Sequence, residues 1–405
     1  MKVLVAALHF FPDRPDGSAQ LAWGHARYLA ESGHEVFLLA LSASAGAPEL
    51  ERRNGVTVLR YSVPALAAFD PRRIGGHGRA IEPILRRHLP GGVDVVCGHT
   101  LLTMLPAIAL MGSRPFVSYS IHSPVRDEYQ ASARLTPVAE RLRLAIAGSL
   151  LSRLERRILL RCDSMTAFSE FTRGRIAQIH GPMIGKRVEV VPGWVDEGRF
   201  APSEDRDELK GNLGWPLDRP VLFTLRRLVP RMGLDLLLKA CARLIRSGRP
   251  LFLVLGGDGP LRADLERLAG DLGISGAVRF AGRVSDDMLP RCYAAADAFV
   301  LPTLALECFG LIALEAMAAG RPVLATPVGA IPEVVGRFEP QWLARETSVD
   351  GLADLLGRFL SDDLPKHDPF DLSKAVKREF GRGAVVPKLV AATMPSDKMD
   401  SMGGR

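Results

Sequence analysis

Short apolar runs recur along the chain, each followed by a turn and then by a longer stretch with apolar residues at helical spacing. Val3–Leu8 predicts a buried strand. A Pro/Gly-rich loop follows, then a helix over about Ala19–Ser32 that Gly33-His34 ends, and Glu35–Ala40 begins the next strand. Strand, loop, helix and strand in that order form a βαβ unit, whose crossover favours a parallel sheet. Further strands are predicted at Val56–Tyr61, Val93–Cys97, Pro115–Ser120, Ser164–Phe168 and Arg187–Val191.

After a polar, turn-rich stretch at Glu197–Pro220 the pattern restarts. Strands are predicted at Val221–Thr224, Leu251–Leu255, Val278–Phe280, Ala298–Leu301 and Pro322–Ala325, with helices near Leu234–Ser247, Leu261–Gly270, Leu289–Ala295 and Gly310–Ala319. The fold class is therefore α/β, with two tandem open parallel sheets facing across a cleft, the usual place for a ligand. The expected boundaries are 1–198 for the first Rossmann-like domain and 199–365 for the second. Residues 366–392 form a helical segment that packs back on the first domain, and 393–405 a flexible tail.

Composition narrows this only slightly. At 405 residues two domains are the default. The 52 basic and 45 acidic side chains leave +7, compatible with anionic substrates, a membrane surface or a plain solvated surface. Five dispersed cysteines without metal-ligand spacing read as small buried side chains in a reducing compartment. Phe11–Gly17 interrupts any signal-peptide core, and no stretch reaches the 18 apolar residues of a membrane span, so a cytoplasmic protein is expected. Seven arginines and two acids lie among leucines from Arg134 to Arg161, on a helix expected from Ala139 onward. That helix suits either an anionic lipid surface or ordinary packing with solvated arginines. Nucleic acid is not expected, because the charge comes without an aromatic platform or recognised module.

Three segments carry candidate phosphate and sugar chemistry. Gly256-Gly257-Asp258-Gly259-Pro260 follows a strand and lets backbone approach a ligand, although many tight βα turns look the same. Arg226, Arg227 and Arg231 lie in the loop after the Val221 strand, before Gly233 opens a helix, and a guanidinium there suits diphosphate oxygens. In Leu301–Gly320, Glu307 stands in a loop and Glu315 in the second turn of the helix from Gly310. A carboxylate only accepts hydrogen bonds and so suits sugar hydroxyls, while the first helix amides suit an oxyanion. The plain alternative makes Glu307 a helix-capping acid and Glu315 a surface residue. In the first domain, Asp16-Gly17-Ser18 follows the first strand as a second amide-rich turn. His99, His122 and Ser169 each follow a predicted strand. Asp286-Asp287 reads as a helix cap, and no metal ligands are assigned.

The Glu-x7-Glu spacing with Phe-Gly-Leu between, followed by Glu-Ala-Met-Ala-Ala-Gly-x-Pro-Val, resembles the retaining glycosyltransferases of family 4, whose fold is the two-domain GT-B arrangement. The resemblance covers nearly the whole chain. It implies a donor site of Gly17, Ser18, Arg226, Arg227, Arg231, Gly257, Asp258, Gly259, Glu307, Phe309, Gly310, Leu311 and Glu315. Within it, Glu307 would contact donor sugar hydroxyls, Glu315 the ribose, and Arg227 the diphosphate. His122 would lie near the reacting sugar, making His122, Arg227 and Glu307 the catalytic set, with His99, His122, Ser169 and Trp194 on the acceptor side. The implied reaction moves a hexose from a nucleoside diphosphate sugar, UDP or GDP foremost, to an acceptor hydroxyl, without a cofactor or metal. The implied location is cytoplasmic, with peripheral contact at the inner membrane face left open. Met232 stands where the family commonly has lysine, which leaves Arg226 or Arg231 to compensate. A sugar-nucleotide epimerase, a phosphorylase and a non-catalytic sugar-nucleotide-binding protein are the alternatives.

Overall fold

The computed structural model describes residues 1–14, 16–44, 46–63, 72–111, 114–133 and 138–395. The expected tail beyond residue 395, the Pro15 position and the start of the arginine-rich stretch at 134–137 lie outside the described residues. The chain divides into two compact units, Met1–Gly193 with Gly383–Arg405, and Trp194–Arg382.

The first unit is built on eight strands: β1 (Lys2–Ala6), β2 (Glu35–Leu41), β3 (Leu50–Arg53), β4 (Val56–Tyr61), β5 (Val95–Gly98), β6 (Phe116–Ile121), β7 (Ser164–Ala167) and β8 (Val188–Val190). They are ordered β3-β4-β2-β1-β5-β6-β7-β8 and all pair in parallel except β3, which runs antiparallel to β4. The hydrophobic pattern misses β3 because Leu50–Arg53 is polar. Its Glu51 accepts from the buried Arg60 of β4 at 2.6 Å, so an ion pair and edge pairing define the strand instead of an apolar face. In sheet order, the strands from β4 to β7 are buried on both faces, as parallel sheets covered by helices require, while the edge strand β8 exposes Glu189.

The second unit carries β9 (Val221–Leu225), β10 (Phe252–Gly256), β11 (Val278–Gly282), β12 (Ala298–Leu301) and β13 (Val323–Ala325), all parallel in the order β11-β10-β9-β12-β13. In each sheet the order reverses at the first strand of the unit. β1 lies between β2 and β5, and β9 between β10 and β12. Loops leaving the carboxyl ends of strands that flank such a reversal diverge to opposite faces and open a crevice, where ligands of doubly wound folds bind.

The C-terminal stretch is not one helical segment. Helix Pro369–Phe380 belongs to the second unit, where Ser373 Oγ donates to Ala318 O, and helix Arg382–Thr393 belongs almost wholly to the first. The chain is not loose from Thr393 either, because Thr393 and Met394 are both buried. Four of the five cysteines are buried, and burial pushes the thiols of Cys97, Cys162 and Cys241 up to about 12.

Candidate functional site

The second unit gathers the arginine loop, the glycine turn and the first glutamate at the carboxyl ends of β9, β10 and β12. Arg226 directly follows β9. Its Nη2 donates to Thr303 Oγ1 at 2.7 Å and to Glu307 Oε2 at 2.8 Å. Both partners lie in the loop after β12, so the ends of β9 and its neighbour β12 are joined side chain to side chain. The Arg226 side chain is only 6% exposed and Glu307 16%, which makes this a largely buried ion pair. Arg231 fastens the same loop by donating from Nη1 to Leu306 O at 2.8 Å, and Leu304 N donates back to Arg231 O at 2.9 Å. Leu306 has a φ of 55°, a left-handed conformation unusual for a branched side chain, immediately before Glu307. The carbonyl of Glu307 accepts from Ala330 N at 2.8 Å.

Arg226 and Arg231 are thus both tied to the 303–307 loop. Arg227 is exposed at the surface and Met232 is buried. Glu307 is not a capping acid, because the helix Leu311–Ala318 starts at Gly310 (φ 95°) with no side-chain cap. Phe309 is buried beside Phe380, at 6.3 Å between ring centroids.

The glycine turn has a packing reason of its own. Gly257 has a φ of 114°, and a Cβ there would lie 1.8 Å from Arg226 O. One at Gly259 would lie 2.6 Å from Leu228 O. Leu228 N donates to Asp258 O at 3.0 Å, so the turn lies against the backbone of the arginine loop. The amides of Gly257 and Gly259 are already taken by Gly282 O and Asp258 Oδ1. The glycines hold the arginine loop in place by close approach.

Glu315 is not a surface residue: it is buried and accepts at Oε2 from Tyr293 Oη at 2.9 Å. Burial, only partly offset by the tyrosine hydrogen bond and by Arg199, pushes its carboxyl up to about 7. Asp286 does not cap a helix; it accepts from Arg199 Nη2 at 2.7 Å, while the helix Leu289–Ala295 has no side-chain cap.

In the first unit the loop after β1 forms its own network. Asp16 caps the helix Gly17–Glu31, accepting from Ala19 N at 2.9 Å and from Ser18 Oγ at 2.6 Å. His9 Nδ1 lies 2.8 Å from Asp16 Oδ2, and Arg14 donates to His9 Nε2 at 3.2 Å. Burial alone would raise the Asp16 carboxyl, but the hydrogen bonds from His9, Ser18 and Ala19 overcome it and bring it to about 2. Gly17 is exposed at the helix start.

His99 follows β5 and His122 follows β6, and the structure brings them together with His99 Nδ1 3.0 Å from His122 Nε2. His122 also packs on Phe168, at 4.7 Å between ring centroids. Ser169 caps the helix Glu170–His180 by accepting from Thr172 N at 3.1 Å. Trp194 is buried where the chain enters the second unit, next to Val195, which pairs with Gly381.

Sequence reasoning missed His9, His25, Thr303 and Tyr293. Thr303 was findable, as a polar residue two positions past the end of a strand at the reversal. His25 and Tyr293 lie inside helices and carry no local signal. Among the described residues, no three His, Cys, Asp or Glu side chains cluster as metal ligands.

The description "Glycosyltransferase Family 4" matches residues 15–199, and "Glycosyl transferases group 1" matches residues 205–377. A GDP-mannose-dependent alpha-(1-6)-phosphatidylinositol monomannoside mannosyltransferase of Mycolicibacterium smegmatis is 37% identical over 51% of this chain. The match spans little more than half of that relative, 55% of its length. A D-inositol 3-phosphate glycosyltransferase of Actinosynnema mirum is 30% identical over 82% of this chain and 80% of its own. Among solved structures, the sucrose-phosphate synthase of Thermosynechococcus elongatus superposes with a TM-score of 0.79 over 96% of this chain and 98% of that one, at 20% identity, a likeness of fold. With the two matched segments together taking in most of the chain and a relative aligned over most of both chains, the chain belongs to glycosyltransferase family 4, with the GT-B fold.

Proposed function

We propose that the protein transfers a hexose from a nucleoside diphosphate sugar to an acceptor hydroxyl with retention of the anomeric configuration. The observation that carries this reading is the Arg226–Thr303–Glu307 constellation at the sheet reversal, beside an uncapped helix start at Gly310. Arg226 occupies Oε2 of Glu307 and orients the carboxylate, leaving Oε1 to accept from two adjacent sugar hydroxyls. Arg227 and the amides at Phe309, Gly310 and Leu311 suit the diphosphate, and Glu315 suits the ribose. As the bond from the anomeric carbon to the diphosphate oxygen breaks, negative charge grows on the leaving phosphate. Arg227 and the helix-start amides stabilise it there more than in the ground state. The acceptor oxygen bonds to the anomeric carbon from the same face, and its proton passes to the leaving phosphate. No side chain of this site is assigned as a covalent nucleophile. Arg226 and Arg231, held by the 303–307 loop, act by positioning Glu307, and Arg227 is the cation assigned to the phosphates.

The named activity of the mycolicibacterial relative favours a GDP-linked donor, with a UDP-linked one as the comparison. Calorimetric titration with GDP- and UDP-sugars, followed by mass analysis of products over an acceptor panel, tests the reading. Binding followed by acceptor-dependent nucleotide release supports it. Epimerisation without acceptor, or a requirement for inorganic phosphate, replaces it with the epimerase or phosphorylase reading.

We further infer a cytoplasmic enzyme that rests against an anionic membrane face. Among the described residues no helix is long and apolar enough to cross a membrane. The helix Val138–Leu159, however, exposes Leu142 (66%), Ile146 (61%) and Leu150 (48%) at intervals of four residues, and Arg153, Arg156 and Arg157 follow on the same exposed side. An apolar stripe edged by guanidinium groups matches the boundary between acyl chains and anionic headgroups. Sedimentation with phosphatidylglycerol vesicles should carry the protein down, and the L142S/I146S/L150S variant should stay in the supernatant. Equal sedimentation with neutral vesicles would remove the anionic membrane from the reading.

A further inference from the structure

Three histidine rings stand in a row inside the first unit, and the family resemblance takes in His99 and His122 but neither His25 nor the residue beyond it. His25 lies in the helix Gly17–Glu31, His99 after β5 and His122 after β6. Thr393, the last residue of the helix Arg382–Thr393, stands at the far end. The spacings are 3.2 Å from Thr393 Oγ1 to His25 Nε2, 3.1 Å from His25 Nδ1 to His99 Nε2, and 3.0 Å from His99 Nδ1 to His122 Nε2. Thr393 and His25 are fully buried and His99 nearly so.

The direction of this chain follows from counting hydrogens. A threonine hydroxyl has one. Thr393 gives it to Leu389 O at 2.7 Å, an oxygen that can only accept. Toward His25 the hydroxyl therefore accepts, and His25 Nε2 carries that ring's proton. Its Nδ1 then accepts from His99 Nε2–H, and His99 Nδ1 accepts from His122 Nε2–H. Burial favours the neutral form of all three rings, bringing His25 to about 4, His122 to about 4 against the opposing charge of Asp16, and His99 lower still, where its two histidine neighbours add to the effect. Extra protonation at His25 or His99 would also set two N–H groups against each other.

We propose that the Thr393 hydroxyl sets the polarity of the whole row, so that His122 is held as the Nε2–H tautomer and presents Nδ1 as a hydrogen-bond acceptor to a hydroxyl of a ligand bound at the carboxyl ends of β5 and β6. His25, His99 and Thr393 are positioning residues, acting on the ligand only through His122. A lone pair in that position accepts from a neutral hydroxyl and repels a phosphate or carboxylate oxygen, so the row selects a donating group at this point. The ligand's identity rests on the transferase reading above, whereas the tautomer does not.

The test uses the full chain with 13C,15N-labelled histidine at neutral pH, reading two-bond correlations from ring carbon-bound hydrogens to ring nitrogens. H25Q, H99Q and H122Q variants assign the peaks. All three rings should show the neutral Nε2–H pattern, and an Nδ1–H or doubly protonated ring among them would overturn the proposal. T393V keeps the side-chain shape without the hydroxyl. It should give a mixed tautomer signal at His25 and His122 and a roughly tenfold lower kcat/KM, with T393S restoring both. Unchanged tautomers in a folded T393V would overturn the role of Thr393, and if T393V does not fold, the wild-type spectrum decides alone. Nε2–H tautomers in a protein that turns over no sugar nucleotide would sink the transferase reading while leaving the row's polarity standing.

Discussion

Replacing Glu307 separates a structural role from a chemical one, because the two predict different losses in two different variants. Glu307→Ala leaves the Arg226 guanidinium, 6% exposed, with only the neutral Thr303 hydroxyl on the same Nη2. Breaking a buried pair costs about 3–5 kcal/mol, and the partial exposure of Glu307 places this one at about 3 kcal/mol. For a folding unit of this size that is a fall in Tm of about 6–12 °C. Glu307→Gln keeps the shape and an oxygen acceptor for Arg226 and exchanges a charge-assisted hydrogen bond for a neutral one, about 1 kcal/mol and a few degrees. Catalysis should not follow that ranking. A carboxylate that holds the sugar while the anomeric centre becomes cationic is lost in both variants, so turnover should fall about 100- to 1000-fold in each, or about 3–4 kcal/mol. The assay pairs thermal unfolding with nucleoside diphosphate release, at a temperature where both variants are fully folded. A Glu307→Gln enzyme with near-normal release would show that Glu307 serves only as the counter-ion of Arg226, and the assignment to the sugar would fall.

Three further outcomes are expected. Gly257→Ala puts a Cβ 1.8 Å from Arg226 O at a φ of 114°, so it should cost at least about 2 kcal/mol and weaken donor binding by displacing the arginine loop. Unfolding midpoints and donor titration of the same sample check both. Glu315 has its folded carboxyl raised from 4.5 to about 7, so the folded state holds the proton more tightly than the unfolded chain. Its stabilising contribution is complete below about 4.5, declines as pH rises toward 7 and is gone above it, a total of about 3 kcal/mol at 1.36 kcal/mol per pKa unit. Urea unfolding of wild type against Glu315→Gln from pH 4.5 to 8 should show that decline, and a constant difference would refute it. Turnover after chelator treatment and desalting should be unchanged, because Asp286 already pairs with Arg199; activity restored only by a divalent ion would contradict this.

The two-unit α/β plan was legible because parallel strands buried on both faces are continuous apolar runs, as at Val221–Leu225 and Ala298–Leu301. β3 was not, since Leu50–Arg53 is held by edge hydrogen bonds and by Glu51 meeting Arg60. Local segments of the site were visible as motifs, but their partners were not. The Arg226–Glu307 contact joins residues 81 apart in sequence, and the link from Thr393 to His25 joins residues 368 apart. Spacing within a segment could not say whether Arg226 faces a phosphate or a carboxylate. That choice is made by the loop after β12, which brings Thr303 and Glu307 to it. The glycine turn is the converse case: its sequence suggests a ligand cradle, whereas the backbone of Arg226 and Leu228 already fills the space beside Gly257 and Gly259.

The proposed transfer requires a donor diphosphate at the carboxyl ends of β9 and β12. A crystal of the full chain grown with GDP- or UDP-sugar reads this most directly. Phosphate oxygens are expected on Arg227 and on the amides opening the helix at Gly310, with the sugar on Glu307. A donor seated away from both loops, with those groups facing solvent, would contradict it.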